Sequence, residues 1–236
     1  MTVTSAPSPL PRLVIGWLYY LTAVFFFVYL FVYYWTGEGG PFILAITLVP
    51  VTFILFTLEG LRQNEFYPRL PAKANYAIAA VYIAVSIAVA VYMNQEYYEL
   101  GTVRAGIWST ADLVMGALMV ALIMEYARIR HLPLFILNIL LMLYAAYGQV
   151  VSGMFFHPGL SWPRIVSAMS VEMSTGVFSN LPQLALTLIG SFVLVLSALR
   201  AFGCVDSILK ASKQIAVHSP HALPQSAVVG SMAVGT

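Results

Sequence analysis

The chain has 236 residues, of which 61% are hydrophobic and only 8% are charged. A water-soluble domain normally carries about 25% charged residues, so this composition excludes an ordinary soluble globular protein. The formal net charge is +2 and no basic cluster occurs, which argues against a nucleic-acid partner. A single cysteine, Cys204, excludes an internal disulfide and an all-cysteine metal site.

The chain opens on a segment rich in proline and serine, residues 1–12, which we predict to be disordered. A long apolar stretch follows over 13–35 and contains no charged side chain. A helix needs about 20 residues to cross the hydrocarbon core of a bilayer. Because the stretch is continuously apolar rather than alternating, it indicates a helix and not a barrel strand. No small-residue cleavage pattern follows it, so we interpret it as a retained anchor.

Five further apolar stretches predict five more spans, which makes the fold class all-α and polytopic, with about six membrane-spanning helices. These spans are predicted over 42–58, 76–93, 109–127, 132–151 and 181–202. Pro50 lies inside the second span, where a membrane helix tolerates a kink. The polar and aromatic segment 94–109 fits an interfacial stretch, and a weakly amphipathic piece is predicted over 205–216.

A short amphipathic helix is predicted between spans five and six. Ser161, with Pro163 just after it, is a good helix start. One face of this helix would carry the apolar side chains Trp162, Ile165, Val166, Met169 and Met173. Arg164 and Ser167 fall on the other face, and Glu172 lies at the edge. A helix of this pattern lies along the membrane surface.

The basic residues are distributed unevenly between alternating loops. If the N-terminus is cytoplasmic, nine of them fall inside and two, Arg104 and Arg164, fall outside. The nine are Arg12, Arg62, Arg69, Lys73, Arg128, Arg130, Arg200, Lys210 and Lys213. The positive-inside rule therefore predicts that both termini lie in the cytoplasm, and we expect the bacterial inner membrane as the location.

Few charged residues fall within the predicted spans, where charge often marks a functional site. Asp112 lies in the first turn of span four. We interpret it as an acid favoured by the helix dipole and close to water, rather than as a proton or ion site. Glu125 precedes Arg128 by three residues, a spacing that predicts an ion pair on one helix face. Glu59 and Arg62 share that spacing.

Uncharged polar residues gather at the start of span six: Asn180, Gln183 and Thr187. In lipid such groups seek partners on neighbouring helices, so helix packing is their default role. They are also the candidates for substrate or ion binding, because Pro182 lies among them and favours local unwinding.

The four histidines, His131, His157, His218 and His221, do not share a helix face inside any span. A haem or metal site is therefore not expected, and we predict no cofactor. No GxSxG, HExxH, P-loop or Rossmann pattern occurs, so we do not expect an enzyme. A membrane enzyme or electron carrier remains an alternative that would need paired His, Cys or carboxylate residues on facing helices.

Three segments carry a family pattern. They are STADLVMGALMVALIMEYAR (109–128), LPLFILNILLMLYAAYG (132–148) and HPGLSWPRIV (157–166). With them, the chain from residue 76 onward resembles the membrane component of tripartite ATP-independent periplasmic (TRAP) transporters, most of all the fused type that works with TAXI-class binding proteins. Asp112, Gly116, Glu125 and Arg128 match that pattern. The segment 176–212 resembles the opening of the family's large permease domain.

The resemblance implies a secondary active transporter for organic acids, driven by an ion gradient and supplied by an extracytoplasmic substrate-binding protein. It implies a small, static four-helix domain over 13–131 and a connecting span over 132–159. Residues 160–236 would then hold the amphipathic helix and the first span of the large permease domain.

Two departures from the family pattern lie near the C-terminus. The loop HSPHALPQS (218–226) lacks the family's usual Gly-Gly pair. The segment AVVGSMAVGT (227–236) resembles the start of the helix that leads to the family's Ser/Gly-rich ion-binding hairpin. We therefore expect one part of a split permease, which does not transport without a large permease subunit, or alternatively an inactive truncated fragment.

Overall fold

The computed structural model describes residues 9–63, 66–67, 70–172, 175–204, 206–208 and 210. Within them the chain is helical, with no β-strand. Six of the described helical segments are long and apolar enough to cross a membrane. The chain is therefore an all-α polytopic membrane protein, and this confirms the predicted fold class. The predicted weakly amphipathic piece over 205–216 lies mostly outside the described residues.

The helices follow the predicted apolar stretches closely. They are α1 (Pro9–Thr36), α2 (Gly40–Gln63), α3 (Ala72–Gln95), α4 (Thr110–Arg130), α5 (Leu132–Tyr147), α6 (Trp162–Val166), α7 (Asn180–Leu184) and α8 (Gly190–Ala201). Helix α1 begins before residue 13, so the last part of the predicted disordered leader is helical. Pro50 lies inside α2 without ending it.

A turn that contains three glycines joins α1 to α2. Gly37, Gly39 and Gly40 all have a positive φ of 69–79°, a conformation that side chains other than glycine rarely adopt. The chain therefore reverses within a few residues, and α1 packs against α2 along its length. Most of the apolar side chains on α1 remain exposed, as expected for a helix that faces lipid.

The hydrophobic core lies where α2, α3 and α4 meet. Its buried members are Ile46, Val89, Met93, Leu100, Met119, Leu122, Val171 and Phe178. The last two come from the segment between α6 and α7, so that segment closes one side of the core. Helix α5 contributes no buried residue.

The chain divides into two compact units after Gln183. The first unit, 1–183, holds α1 to α6 and most of α7. The second, 184–236, holds the π-helical turn Ala185–Ile189 and α8. Within the first unit, α6 and the π-helical turn after it, Ser167–Val171, pack on α4. The domain boundary that the resemblance implies at residue 160 stays a prediction.

The buried face of this α6 segment differs from the predicted one. Ile165 is buried as expected, but Ser167 and Ser170 are also buried. The sequence wrongly placed Ser167 on the polar face. Two physical causes account for the difference. The π-helical turn closes its hydrogen bonds over five residues instead of four, so the side chains on it point in other directions than a regular α-helix predicts. The small serine side chains also allow this segment to approach α4 closely. Met173 lies outside the described residues.

Candidate functional site

Two polar networks brace α4, one at each end. The first begins with Ser109, which caps α4. Its side-chain oxygen accepts a hydrogen bond from the backbone N–H of Asp112 at 3.2 Å, and its own N–H donates to Asp112 Oδ2 at 2.7 Å. This reciprocal pair is a capping box, which satisfies backbone donors that a helix start leaves without partners.

Asp112 gains further partners from outside its helix. The hydroxyl of Tyr92, near the end of α3, donates to Asp112 Oδ1 at 2.7 Å. Arg104 Nη1 lies 3.7 Å from Asp112 Oδ2. The Asp112 side chain is fully buried, so the prediction that it lies close to water was wrong. The burial is possible because hydrogen-bond donors surround the carboxylate.

Arg104 links this Asp112 network (Tyr92, Glu96, Arg104, Ser109, Asp112) to the turn after α3. Its guanidinium also forms an ion pair with Glu96. Desolvation opposes protonation of Arg104, but the nearby carboxylates of Asp112 and Glu96 raise the pKa of its guanidinium overall. The network therefore connects α3, the turn and α4 through charge-assisted hydrogen bonds. Both oxygens of Asp112 already accept hydrogen bonds, as expected of a structural brace.

The second network lies near the other end of α4. Arg128 Nε donates to Glu125 Oε2 at 2.7 Å, which confirms the ion pair predicted from their spacing. The hydroxyl of Tyr67, from the segment between α2 and α3, donates to the same carboxylate. The hydroxyls of Tyr67 and Tyr82 lie 3.2 Å apart. This Glu125 network (Tyr67, Tyr82, Glu125, Arg128) therefore ties α4 to α3 and to the loop before it.

The environment of Tyr67 affects its ionisation. Burial raises the pKa of the Tyr67 hydroxyl well above its ordinary value, and the hydrogen bond to Glu125 raises it further. The hydroxyl therefore remains a donor further into the alkaline range than an ordinary tyrosine does. The guanidinium carbon of Arg128 also lies 5.9 Å from the centre of the Tyr67 ring, within the range of a cation–π contact.

The other predicted helical pair does not form among the described residues. Glu59 Oε1 accepts instead from the side-chain amide of Gln63, one full turn further on, at 3.0 Å. Arg62 turns towards α1, where its guanidinium carbon lies 5.2 Å from the Tyr19 ring centre and 5.5 Å from that of Tyr20. Spacing alone misled the prediction, because an aromatic surface on a neighbouring helix competed for the cation.

Gly116 marks the closest approach of α4 to the α6 segment. A β-carbon added there would collide with Ser170 Oγ and would lie 2.6 Å from Val171 Cγ2. Only glycine therefore permits this packing without displacement of the two segments.

Hydrogen bonds of the His157 side chain hold the loop between α5 and α6. The backbone N–H of Gly159 donates to His157 Nδ1 at 3.0 Å, so Nε2 carries the proton and donates to the carbonyl of Tyr144 at 2.9 Å. The ring fills the space beside Gly148 that a β-carbon would occupy. Trp162, the first residue of α6, is exposed, and its ring centre lies 6.4 Å from that of Tyr147.

The candidate ligand residues of span six lie on α7 and on the π-helical turn that follows it. The chain remains helical past Pro182, but the regular α-helix gives way to a wider π-helical turn at Ala185. Asn180 is the exposed first residue of α7. The Gln183 side chain donates to the carbonyl of Phe178 at 2.9 Å, which holds the turn before the helix. Thr187 belongs to the second unit, within the π-helical turn. Their role in ligand binding stays a prediction.

Sequence reasoning missed Tyr67 and Tyr92, and it considered His157 only as a possible metal or haem ligand. No local spacing connects Tyr67 to Glu125 or Tyr92 to Asp112, because these pairs join different elements. A weak signal existed for the second pair, since an acid in the first turn of a buried helix needs donors beyond its cap.

Together these features define a polytopic membrane protein whose fourth helix is braced near both ends. No group of three or more His, Cys, Asp or Glu side chains that could hold a metal ion occurs in the described part of the chain. No family model, curated protein or solved structure matches the chain.

Proposed function

We propose that this chain is a membrane subunit of a secondary active transporter of the TRAP type, which braces a separate transport domain for the uptake of organic acids. One observation carries the proposal. The four residues of α4 that match the family pattern are those that fasten α4 to its surroundings. Asp112 and Gly116 act at one end, and Glu125 and Arg128 at the other.

The bracing supports a static role. Asp112 and Glu125 lie 13 positions apart on one helix, which corresponds to about 20 Å along its axis. The hydrocarbon core is about 30 Å thick, so the part of α4 between the two networks is long enough to cross about two thirds of it. A helix fixed near both ends resists tilting and sliding, as a support for a moving domain requires.

The exposed apolar surfaces leave room for a partner. Helix α5 contributes no buried residue to the first unit, and α8 contributes none to the second. We propose a large permease subunit, or the remaining half of the permease, as the partner in the bilayer. An extracytoplasmic binding protein would deliver the substrate.

The proposed location is the bacterial inner membrane, with both termini in the cytoplasm. The charge bias of the loops supports this orientation. The structure is compatible with it, since Tyr67 in the α2–α3 segment meets Glu125 near the end of α4. The end of α2 and the end of α4 therefore lie on the same side, and α3 runs in the opposite direction, as the loop alternation requires for these three spans. Reporter fusions at each terminus test the orientation, and opposite locations of the two ends would contradict it.

The function is tested by co-expression of the tagged chain with a separately encoded large permease subunit of this type. We expect a stable complex in detergent. Liposomes that contain the complex, the binding protein and an ion gradient should accumulate an organic acid, whereas the chain alone should not. A chain that purifies as a stable monomer and never associates, or that accumulates solute alone, would refute the proposal. Complex formation without uptake would favour an inactive fragment, and bound haem or quinone in an optical spectrum would favour an electron carrier.

A further inference from the structure

The loop between α5 and α6 exposes a run of large apolar side chains. Four of them are between 60% and 92% exposed: Val150, Met154, Phe155 and Phe156. Over 150–156, Ser152 supplies the only polar side chain. Residues 132–163, which include α5 and this loop, contain no Asp, Glu, Lys or Arg. An exposed apolar patch of this kind marks a contact with a protein or a membrane.

The loop folds back along the last turn of α5. The backbone N–H of Leu160 donates to the carbonyl of Ala145 at 2.8 Å. The hydroxyl of Tyr144 donates to the carbonyl of Phe155 at 2.7 Å. The bond to Ala145 satisfies one of the carbonyls that the end of a helix leaves without a partner. Both bonds hold the second half of the loop beside the last turn of α5.

The last turn of α5 ends before the helix has crossed the hydrocarbon core. Helix α5 begins at Leu132, directly after the polar residues Arg130 and His131, so one edge of the core lies near that point. Tyr144 and Tyr147 lie about 18 and 22 Å further along the helix axis, at 1.5 Å per residue. Because the core is about 30 Å thick, they stop about 12 and 8 Å short of its far edge, and any tilt of α5 places them deeper.

Three observations favour lipid over protein as the contact of this loop. Tyr147 and Trp162 flank the loop, both are exposed, and their ring centres lie 6.4 Å apart; exposed Tyr and Trp are typical of the membrane–water interface. An apolar segment in that layer is buried about 5–10 Å at the boundary of headgroups and acyl chains, which agrees with the depth of the last turn of α5. Protein interfaces carry about one hydrogen bond per 100–200 Å², whereas 150–156 offer a single polar side chain.

The His157 side chain positions the loop at this depth. Its Nδ1 accepts from the backbone N–H of Gly159 at 3.0 Å, and its Nε2 donates to the carbonyl of Tyr144 at 2.9 Å. Its ring also lies edge-on to the Tyr144 ring, with ring centres 4.7 Å apart. One side chain therefore joins the loop to the last turn of α5, and it supplies backbone groups with partners that lipid cannot offer.

We propose that residues 150–156 insert into one leaflet of the bilayer, where His157 holds them, and that they anchor the far end of α5 there. Acyl chains of that leaflet would contact Met154, Phe155 and Phe156. The ends of α2 and α4 lie on one side of the membrane, and α5 leaves from that side. The leaflet is therefore the one on the opposite side, where α2 begins. The proposal concerns the first unit alone and does not depend on the transport function.

The test measures the depth of the loop in the purified full chain, reconstituted in phospholipid nanodiscs. Cys204 is the one cysteine in the sequence, so in a Cys204→Ser background Met154→Cys carries a single nitroxide spin label. Electron paramagnetic resonance compares collisions of the label with oxygen, which concentrates in hydrocarbon, and with a nickel chelate, which stays in water. Calibrated against lipids labelled at known positions, the label should lie about 5–10 Å below the headgroup boundary.

Glu38→Cys in the same background is the matched control. Glu38 is exposed in the turn between α1 and α2, on the same side of the membrane as the loop, and its label should lie in water. The proposal is overturned if the label at position 154 meets the nickel chelate as often as the label at position 38 does. Dipolar broadening that disappears on dilution with unlabelled protein would also overturn it, because a second copy would then cover the loop.

A second pair of variants assigns the depth to His157. His157→Ala removes both side-chain hydrogen bonds that join the loop to α5, so the label at position 154 should move towards water. His131→Ala, at the other end of α5, should leave the depth of that label unchanged. The same depth in both variants, or the same loss of depth in both, would refute the role of His157 in holding the loop.

Discussion

Substitution of Gly116 by alanine tests whether α4 and the α6 segment touch as closely as the structure shows. The new β-carbon would meet Ser170 Oγ and Val171 Cγ2, both well inside ordinary contact distance. Overpacking of this kind costs about 1–3 kcal/mol. Alanine is also the better helix former by about 1 kcal/mol, so the net loss of stability should be about 0–2 kcal/mol.

Gly16 supplies a matched control. It lies inside α1, and a β-carbon added there meets no atom within 4 Å. Gly16→Ala should therefore be neutral or stabilising by up to about 1 kcal/mol. The difference between the two variants cancels the helix propensity and leaves the contact, about 1–3 kcal/mol.

Equilibrium unfolding in mixed micelles, followed by circular dichroism, gives the two free energies. Hydrogen exchange gives a local measure: protection over 162–171 should fall in the Gly116 variant and remain unchanged in the Gly16 variant. Ser170→Ala should restore part of the loss in the double variant, because it removes one of the two colliding groups and only a hydrogen bond within its own helix turn. Equal stabilities and equal exchange for the two alanine variants would refute the close packing.

Two further predictions concern the tyrosines of the polar networks. Tyr92→Phe removes a donor to the buried Asp112 carboxylate and should lower the free energy of unfolding by about 1.5–3 kcal/mol. Tyr98→Phe, at an exposed position, should change it little, and equal effects of the two substitutions would contradict the Asp112 network. The free energy of unfolding of the wild type should exceed that of Tyr67→Phe by its full amount below about pH 10, where an unfolded tyrosine begins to ionise. The difference should shrink as the pH rises further, because the raised pKa keeps the folded hydroxyl protonated while the unfolded chain gains stability by releasing that proton. Unfolding measured between pH 8 and pH 11 checks this, and a difference that stays constant above pH 10 would contradict it.

Local sequence patterns predicted the features that depend on neighbouring residues. Continuous apolar stretches located the spans, because helix length and bilayer thickness are linked by a fixed rise per residue. The Ser109 start of α4 and the Glu125–Arg128 pair were likewise readable, since each involves residues within one turn of helix. The same local rule failed for Glu59 and Arg62, where another helix supplied the partner.

The sequence by itself determined the all-α membrane fold and the positions of the polar residues along α4, because hydrophobic length and helical spacing are properties of contiguous residues. Only the tertiary structure decided that Asp112 is buried beneath Tyr92, that Tyr67 meets Glu125, and that Ser167 faces the core. Those outcomes depend on how closely helices distant in sequence approach one another. That distance is set by the packing of small and large side chains together, which no single helix specifies.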